Sequence, residues 1–166
     1  MRPPHRHPQR GFTLLELTVV MIVIGVLAAA AVPSFNGVSG FAARGARDTV
    51  VATLRYAQQS AIAMRRNVCV SLSTTLLTVT YASSSGNAQA CAATNALLDP
   101  STGQAFGAAS NVLPGGATLA AASSVAFDAT GRPMASVGSY LSSVLSISVN
   151  GAASAVTVEP ESGLVR

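Results

Sequence analysis

The side chains that could carry out catalysis are few in this sequence and lie far apart. Both histidines, His5 and His7, fall within the first seven residues, and the chain contains no lysine. The rest of the chain therefore lacks the means for Ser-His-Asp or Cys-His nucleophilic catalysis, for a histidine metal site and for a Schiff base. The carboxylates are dispersed along the chain: Glu16, Asp48, Asp99, Asp128, Glu159 and Glu161. We predict a protein that is not an enzyme and that holds no metal and no other cofactor.

The positive charge of the chain is concentrated at its start. Ten arginines against six acids give a formal net charge of +4, and three of these arginines lie in the first ten positions. From residue 12 onward, seven arginines against six acids leave a net charge of +1. The sequence pI of about 9.8 therefore reflects the N-terminal residues in part and does not by itself indicate a nucleic-acid-binding protein. A length of 166 residues suits one folded domain with an anchor.

An abrupt change in character separates residues 1–10 from the segment that follows. Residues 1–10 combine three arginines with three prolines, whereas Phe12–Val32 contains a single charged residue, Glu16. As a helix, this apolar run spans about 30 Å, which is the thickness of the hydrocarbon core of a bilayer. Because the arginines precede the run, the positive-inside bias predicts a cytoplasmic start and an exported remainder. An ordinary secretory signal, cleaved near Ala30, is the alternative.

The position of Glu16 favours an anchor that is retained. A carboxylate near the centre of a membrane helix costs about 2.5–3.5 kcal/mol, and less near its end, so its presence requires a role. The string Gly11-Phe12-Thr13-Leu14-Leu15-Glu16 resembles the GFTLxE signature of type IV pilins and type II secretion pseudopilins. The resemblance implies that residues 1–11 are a leader removed by a prepilin peptidase. Phe12 would then become a methylated mature N-terminus, and residues 12–32 would form a transmembrane helix that later enters the filament core.

The same resemblance assigns Glu16 and Pro33 to filament assembly. In the family, this glutamate pairs with the N-terminal amine of a neighbouring subunit. A carboxylate and an ammonium ion in apolar surroundings each lower the cost of burying the other, so the pair would set the axial register of packed helices. The family commonly carries a proline at the position of Pro33, where it bends the helix. With Gly37 and Gly40 following, Pro33 fits a simple helix end equally well.

Residues 33–66 are predicted to continue as an amphipathic helix, most clearly from Phe41 to Arg66. Apolar residues recur at helical spacing on one face: Val50, Leu54, Ala57, Ala61 and Met64. Another face carries what we call the basic ridge: Arg44, Arg47, Arg55, Arg65 and Arg66. Arg44 and Asp48 have the spacing of an i,i+4 ion pair. The ridge could contact phosphates, but without lysine or interleaved aromatics a solvated face that meets neighbouring subunits or anionic headgroups is favoured.

Residues 67–166 change to a hydrophobic period of two, which predicts an antiparallel sheet. The predicted strands are Asn67–Ser73, Leu76–Ala82, Ser124–Asp128, Leu141–Val149 and Ser154–Glu159. Asn150-Gly151 predicts a type I′ hairpin turn. Pro133 is expected to stay out of a central strand, because proline cannot donate a backbone hydrogen bond. Residues 83–116 are predicted to form one long loop. The predicted fold is α+β, with a long N-terminal helix packed on a small antiparallel sheet. The type IV pilin-like resemblance implies the same architecture.

The only two cysteines, Cys69 and Cys91, are predicted to form a disulfide on the exported side of the membrane. On the chain-entropy model, such a bond contributes roughly 3 kcal/mol, and it would tie the long loop to the first strand. Two free cysteines in apolar surroundings are the alternative. The lack of a CxxC spacing argues against a redox function.

Two further segments narrow the resemblance to one group. Residues 52–62 (ATLRYAQQSAI) and residues 125–133 (VAFDATGRP) look like the GspH/FimT group of minor pilins and pseudopilins. Members of that group are low-abundance subunits at or near the filament tip, so the resemblance implies such a position for this protein. Some members bind DNA through a C-terminal GRxR motif. The tail of this chain keeps Gly163 and Arg166 but has Leu164 in place of the first arginine. Residues 67–166 carry two arginines and four acids, which is unfavourable for binding phosphates.

The sequence thus predicts a non-enzymatic minor pilin or pseudopilin that helps initiate or cap a filament. Its expected location is the inner membrane, with one membrane crossing, a cytoplasmic N-terminus and a periplasmic domain at residues 67–166. Its expected partners are other pilins or pseudopilins, a prepilin peptidase, an inner-membrane assembly platform and the lipid bilayer. The alternatives are a DNA-binding minor pilin, with Arg132 and Arg166 as candidate contacts, and an exported globular binding protein. A type II secretion pseudopilus and a type IV pilus fit equally well.

Overall fold

A computed structural model of the chain describes residues 12–31, 38–107 and 112–166. The chain divides into two units, Met1–Gly37 and Val38–Arg166. In the first unit, helix α1 covers Leu14–Ala31. Gly11, the predicted cleavage position, and Pro33, the predicted kink, lie outside the described residues. Over the ranges that the structure describes, no helix combines the length and the apolar character needed to cross a membrane.

The second unit begins with helix α2, Val38–Met64, and continues as strands. Those in the described residues are β1 Val68–Leu72, β2 Leu77–Ala82, β3 Cys91–Ala96, β4 Ser123–Phe127, β5 Pro133–Ser136, β6 Ser139–Tyr140, β7 Leu145–Ile147 and β8 Val156–Val158. Strands β1 to β6 form an antiparallel sheet in the order β3-β2-β1-β4-β5-β6, and β7 pairs with β8 in a separate antiparallel ladder. The predicted α+β fold, with a helix packed on an antiparallel sheet, is confirmed.

The core of this unit lies between α2 and the strands. The apolar face of α2 is buried against them as its spacing predicts, with Val50, Leu54, Ala57 and Ala61 fully buried. Alternate residues of the strands point to the same side, so that the core side of the sheet is apolar. These strand residues include Val68, Val70, Val79 and Phe127, and the β7-β8 ladder adds Ile147, Val156 and Val158. The helix therefore supplies the cover that a sheet with few aromatic side chains needs.

The prediction of one long loop at residues 83–116 is wrong, because strand β3 lies within it. β3 pairs antiparallel with β2 and forms one edge of the six-stranded sheet. Its sequence, CAATNA, has no large apolar residue and no alternation, so local pattern gives no strand signal. The strand forms through its pairing with β2, which is a tertiary effect.

Strands β5 and β6 were also not predicted from the sequence. β5 begins at Pro133 and lies between β4 and β6, which is an interior position in the sheet. The expectation that Pro133 stays out of a central strand is therefore wrong, and the proline is accommodated because it is the first residue of the strand. Its carbonyl oxygen still accepts a hydrogen bond from the backbone nitrogen of Leu141, at 3.1 Å.

Asn150-Gly151 turns the chain, but the predicted type I′ hairpin is wrong. That turn type needs positive φ at both central residues, whereas only Gly151, with φ 81°, has it. Ile147 pairs with Val156, so residues 148–155 connect the two strands. Asn150 is instead held by Thr118, through its backbone nitrogen at 2.9 Å and its side-chain nitrogen at 2.8 Å. Because Thr118 is distant in sequence from β7 and β8, this contact holds the turn outside the β7-β8 ladder.

Candidate functional site

Helix α1 begins at a capping arrangement that includes Glu16. The hydroxyl oxygen of Thr13 accepts a hydrogen bond from the backbone nitrogen of Glu16, at 3.2 Å. Thr13 and Glu16 have the spacing of a capping box, in which Ser or Thr precedes Glu by three residues. The carboxylate of Glu16 also lies in the first turn, where the helix dipole favours negative charge. Sequence reasoning missed this local role, although the Thr-x-x-Glu spacing signals it.

The surface of α1 is apolar on every side. Its large aliphatic side chains from Leu14 to Leu27 are all between 46% and 81% exposed in the single chain. The hydroxyl of Thr18 is satisfied within the helix, since it donates to the carbonyl oxygen of Leu15 at 2.8 Å. A helix without a polar face is stable only where other apolar groups surround it. An apolar environment therefore suits α1 better than water.

In the second unit, the turn Asp128–Arg132 is organised by the buried carboxylate of Asp128, which is only 1% exposed. One oxygen, Oδ1, accepts hydrogen bonds from the backbone nitrogen of Thr130 at 2.8 Å and from its hydroxyl at 2.7 Å. The same oxygen accepts a third bond from the backbone nitrogen of Arg132, at 2.9 Å. Residues 128–132 thus form a turn built around one acid.

The second carboxylate oxygen of Asp128 positions an aromatic ring. The hydroxyl of Tyr140 donates to Oδ2 of Asp128 at 3.0 Å, and it accepts a hydrogen bond from the side-chain nitrogen of Asn87 at 2.9 Å. The guanidinium carbon of Arg132 lies 4.2 Å from the centre of the Tyr140 ring, which is a cation–π distance. The exposed cation of Arg132 thus lies on a ring whose hydroxyl is held by two hydrogen bonds.

The charges of this cluster follow from its hydrogen bonds. Burial works against ionisation of Asp128, but the bonds from Thr130, Arg132 and Tyr140 outweigh it and hold the pKa of Asp128 below its ordinary value. Donation to that carboxylate, together with burial, raises the pKa of the Tyr140 hydroxyl. At neutral pH Asp128 is therefore a carboxylate and Tyr140 a neutral phenol.

Asn67 positions the segment that contains Asn87. The Asn67 side chain is fully buried, and its nitrogen donates to the carbonyl oxygens of Gly86, Asn87 and Gln89 at 2.9–3.0 Å. It thereby fixes the segment between β2 and β3. Sequence reasoning missed Asn67, which appears in the sequence only as a polar residue at the start of a strand.

The structure joins Cys69 and Cys91 in a disulfide. Cys69 lies in β1 and Cys91 is the first residue of β3, so the bond links two strands of the sheet that β2 separates. The expectation that Cys91 lies in a loop is wrong, for the reason given for β3.

The C-terminal tail pairs with β8 beside the Asp128 turn. Backbone hydrogen bonds link Thr157 and Arg166 in both directions, at 2.7 and 3.0 Å, and Val165 is 1% exposed. The guanidinium of Arg166 forms an ion pair with Glu159. Arg166 therefore has an acidic partner, whereas Arg132 is stacked on Tyr140. Arg132 and Arg166, which the sequence predicts as candidate DNA contacts, are thus engaged in different interactions.

Helix α2 holds the turn and the tail together. Nε2 of Gln58 donates to the carbonyl oxygens of Gly131, at 2.9 Å, and of Ser162, at 3.2 Å. Arg55 donates from Nε and Nη2 to the carbonyl oxygen of Val165, at 3.2 and 2.8 Å. Residues 52–62 and 125–133 therefore contact each other and the tail at one place.

Two members of the basic ridge bind carbonyl oxygens, which corrects the expectation of a solvated face that meets neighbouring subunits or anionic headgroups. Besides Arg55, Arg47 donates to the carbonyl oxygen of Ser154 at 3.3 Å. Asp48 forms its ion pair with Arg47, at 3.5 Å, where Arg44 was expected. The physical reason is that the bond to Ser154 holds the Arg47 side chain within reach of Asp48.

The comparisons with known proteins concern the N-terminal part of the chain. Residues 6–32 match the prokaryotic N-terminal methylation motif. This is the prepilin signal of type IV pilin-like proteins, and the match contains Gly11, Phe12 and Glu16. It supports a membrane-anchored protein of the pilin or pseudopilin type, which implies interaction with other pilins and with a prepilin peptidase. No curated protein and no solved structure shows significant similarity to the chain.

Proposed function

We propose that the protein is a non-enzymatic minor pilin or pseudopilin of the GspH/FimT type. It would help initiate or cap a type II secretion pseudopilus or a type IV pilus, and so support protein secretion or pilus assembly. The observation that carries the proposal is the prepilin-type motif at residues 6–32, which runs into a helix that is apolar on all sides. Such a helix can lie first in lipid and then among the helices of other subunits.

The mechanism is mechanical. In this proposal, residues 12–32 anchor the precursor in the inner membrane as a single crossing, with the N-terminus in the cytoplasm. A prepilin peptidase cuts after Gly11, and Phe12 becomes the methylated N-terminus. During extraction, the carboxylate of Glu16 pairs with the ammonium group of a neighbouring subunit and sets the register. The energy for extraction comes from other proteins of the machine.

The contact between Gln58 and Gly131 supports assignment to the GspH/FimT type. These residues belong to the two segments that resemble that group, and the structure packs the segments together at 2.9 Å. A resemblance in two distant segments carries more weight when the segments form one site. Asp128, the buried acid of this site, uses both oxygens for internal hydrogen bonds, which suits a structural role.

The charge distribution favours this function over DNA uptake. Arg166 is paired with Glu159, and Arg47 and Arg55 are bound to backbone carbonyl oxygens. Binding to a phosphate backbone needs several cations that are free to replace counterions. Arginines that are already bound to an acid or to carbonyl oxygens of the same chain contribute little to the replacement of counterions.

The intact mass of protein extracted from membranes tests the proposal. We expect a mature chain that begins at methylated Phe12, and low amounts of it in purified filaments relative to the major subunit. Deletion of the gene should reduce the number of filaments. A mature chain that begins at Ala31 would overturn the proposal in favour of an ordinary exported protein.

A further inference from the structure

A surface that the proposed mechanism does not use lies where α2, the Asp128 turn and the tail meet. We call it the tail surface and define it by four exposed side chains: Ile62, Arg132, Tyr140 and Leu164. Ile62 is 49% exposed, Leu164 is 51% exposed and Tyr140 is 37% exposed. Arg132 and Leu164 directly follow Gly131 and Gly163, which pack against each other. Two large aliphatic side chains thus remain exposed beside the turn that carries Arg132.

The cation of the tail surface is preorganised. The guanidinium of Arg132 lies on the Tyr140 ring at 4.2 Å, and Asp128 and Asn87 both hold the hydroxyl of that ring. The backbone nitrogen of Arg132 is held as well, by Asp128. A side chain that is already ordered loses less conformational entropy when a partner binds. The turn itself is closed by bonds to Oδ1 of Asp128 and to backbone oxygens, whereas the Tyr140 ring adds a separate restraint on the Arg132 side chain.

The chemistry of the tail surface fits a protein carboxylate better than a nucleic acid. A planar guanidinium binds a carboxylate through two parallel hydrogen bonds, and arginine and tyrosine are enriched where protein interfaces gain most of their affinity. Exposed aliphatic residues such as Ile62 and Leu164 add apolar area to such an interface. The nearby acids Glu159 and Glu161, and the net charge of −2 over residues 67–166, oppose binding to a phosphate backbone.

We propose that the tail surface is the docking site for a different subunit of the same filament. That subunit presents a carboxylate to Arg132 and an apolar side chain to Ile62 and Leu164. The inference rests on the proposed function, which supplies the neighbouring subunit, and it adds the face through which the contact is made.

Photo-cross-linking in cells that produce the complete machine tests this docking site. The full chain carries benzoylphenylalanine in place of Leu164, and the matched control carries it in place of Leu98, which is 58% exposed and belongs to the 83–116 region. We expect a cross-linked product from position 164 alone, identified by mass spectrometry as another pilin-like subunit. Arg132→Glu should lower its yield about tenfold, as expected for losing a charge-assisted hydrogen bond at an interface. Exchanging the partner's acid that faces Arg132, located from its position next to the cross-linked residue, for arginine should restore the yield.

Three results would overturn the docking site. These are an equal yield from position 98, a yield that Arg132→Glu leaves unchanged, and a product that is DNA or two copies of this chain. Thermal unfolding of purified Arg132→Glu protein serves as the control for folding. A chain that is methylated at Phe12 and present in filaments, but that gives no specific product, contradicts the docking site alone. A mature chain that begins at Ala31 contradicts the proposed function as well.

Discussion

Gln58 and Gly131 lie more than 70 positions apart in the sequence and are joined by a hydrogen bond of 2.9 Å. The same amide of Gln58 reaches Ser162, so one side chain of α2 connects the Asp128 turn to the C-terminal tail. The packing leaves no space at this point. A Cβ added at Gly163 would lie 2.6 Å from both Nε2 of Gln58 and the carbonyl oxygen of Gly131. Stability of the turn and of the tail should therefore depend on this contact.

Gly163→Ala should lower the free energy of unfolding by about 2–4 kcal/mol. The added methyl group collides with Gln58 and Gly131, and φ of 66° is unfavourable for any residue with a side chain. Gly138→Ala is the matched control, because φ there is 84° but no atom lies within 4 Å of the added group. It should cost about 1 kcal/mol, from the backbone alone. Chemical denaturation measures both values, and equal losses would contradict the proposed packing.

Asp128→Asn should destabilise the second unit at neutral pH by about 1–3 kcal/mol, because a charged acceptor of four hydrogen bonds is lost. The folded-state pKa of Asp128 lies below its ordinary value of 3.8, so its stabilising effect is complete above that value and is lost as the pH falls through the folded-state pKa. The difference between wild type and variant should therefore shrink below about pH 4. Urea unfolding at pH 7, 5, 4 and 3 measures it. A difference that stays constant across this range would show that the carboxylate charge is not involved.

Variants of Glu16 can separate its two roles. Glu16→Gln keeps a residue that is suited to the capping box but removes the charge, whereas Thr13→Ala removes the cap and keeps the charge. If charge pairing sets the register, Glu16→Gln and Glu16→Ala should both impair incorporation into filaments while leaving leader cleavage largely intact. Thr13→Ala should have the smaller effect. Immunoblots of sheared filaments and of whole cells report incorporation and cleavage separately. Normal incorporation of Glu16→Gln would assign Glu16 to capping alone.

Two arginines of the basic ridge should respond differently to truncation. Arg55→Ala removes two hydrogen bonds to the carbonyl oxygen of Val165 and should lower the free energy of unfolding by about 1 kcal/mol. Arg44→Ala, at an exposed position on the same helix, should change it by less than about 0.5 kcal/mol. Thermal unfolding of both variants provides the comparison. A larger loss for Arg44→Ala would mean that the ridge stabilises the helix in some other way.

The sequence was sufficient for those features that depend on local periodicity or on a specific motif. The buried face of α2 follows from the spacing of Val50, Leu54, Ala57 and Ala61, and the N-terminal motif is recognisable from Gly11 to Glu16. Strand β3 could not be found, because its small residues form a strand only when β2 is beside them. The candidate site around Asp128 could not be predicted for the same reason, because its contacts join residues that are distant in sequence. Asp128 and Arg132 are close in sequence, but nothing in the sequence pairs them with Tyr140, Asn87 or Gln58.

The way in which Arg166 is held has a practical consequence for labelling this protein. Its backbone pairs with Thr157, and the carbonyl oxygen of Val165 accepts from Arg55, so any peptide fused behind Arg166 starts two residues from Leu164. An affinity tag placed there would shield Ile62 and Leu164 and could pass for a loss of assembly. The exposed serines 83–85, between β2 and β3 and ahead of the stretch that Asn67 anchors, offer a safer insertion point for an epitope.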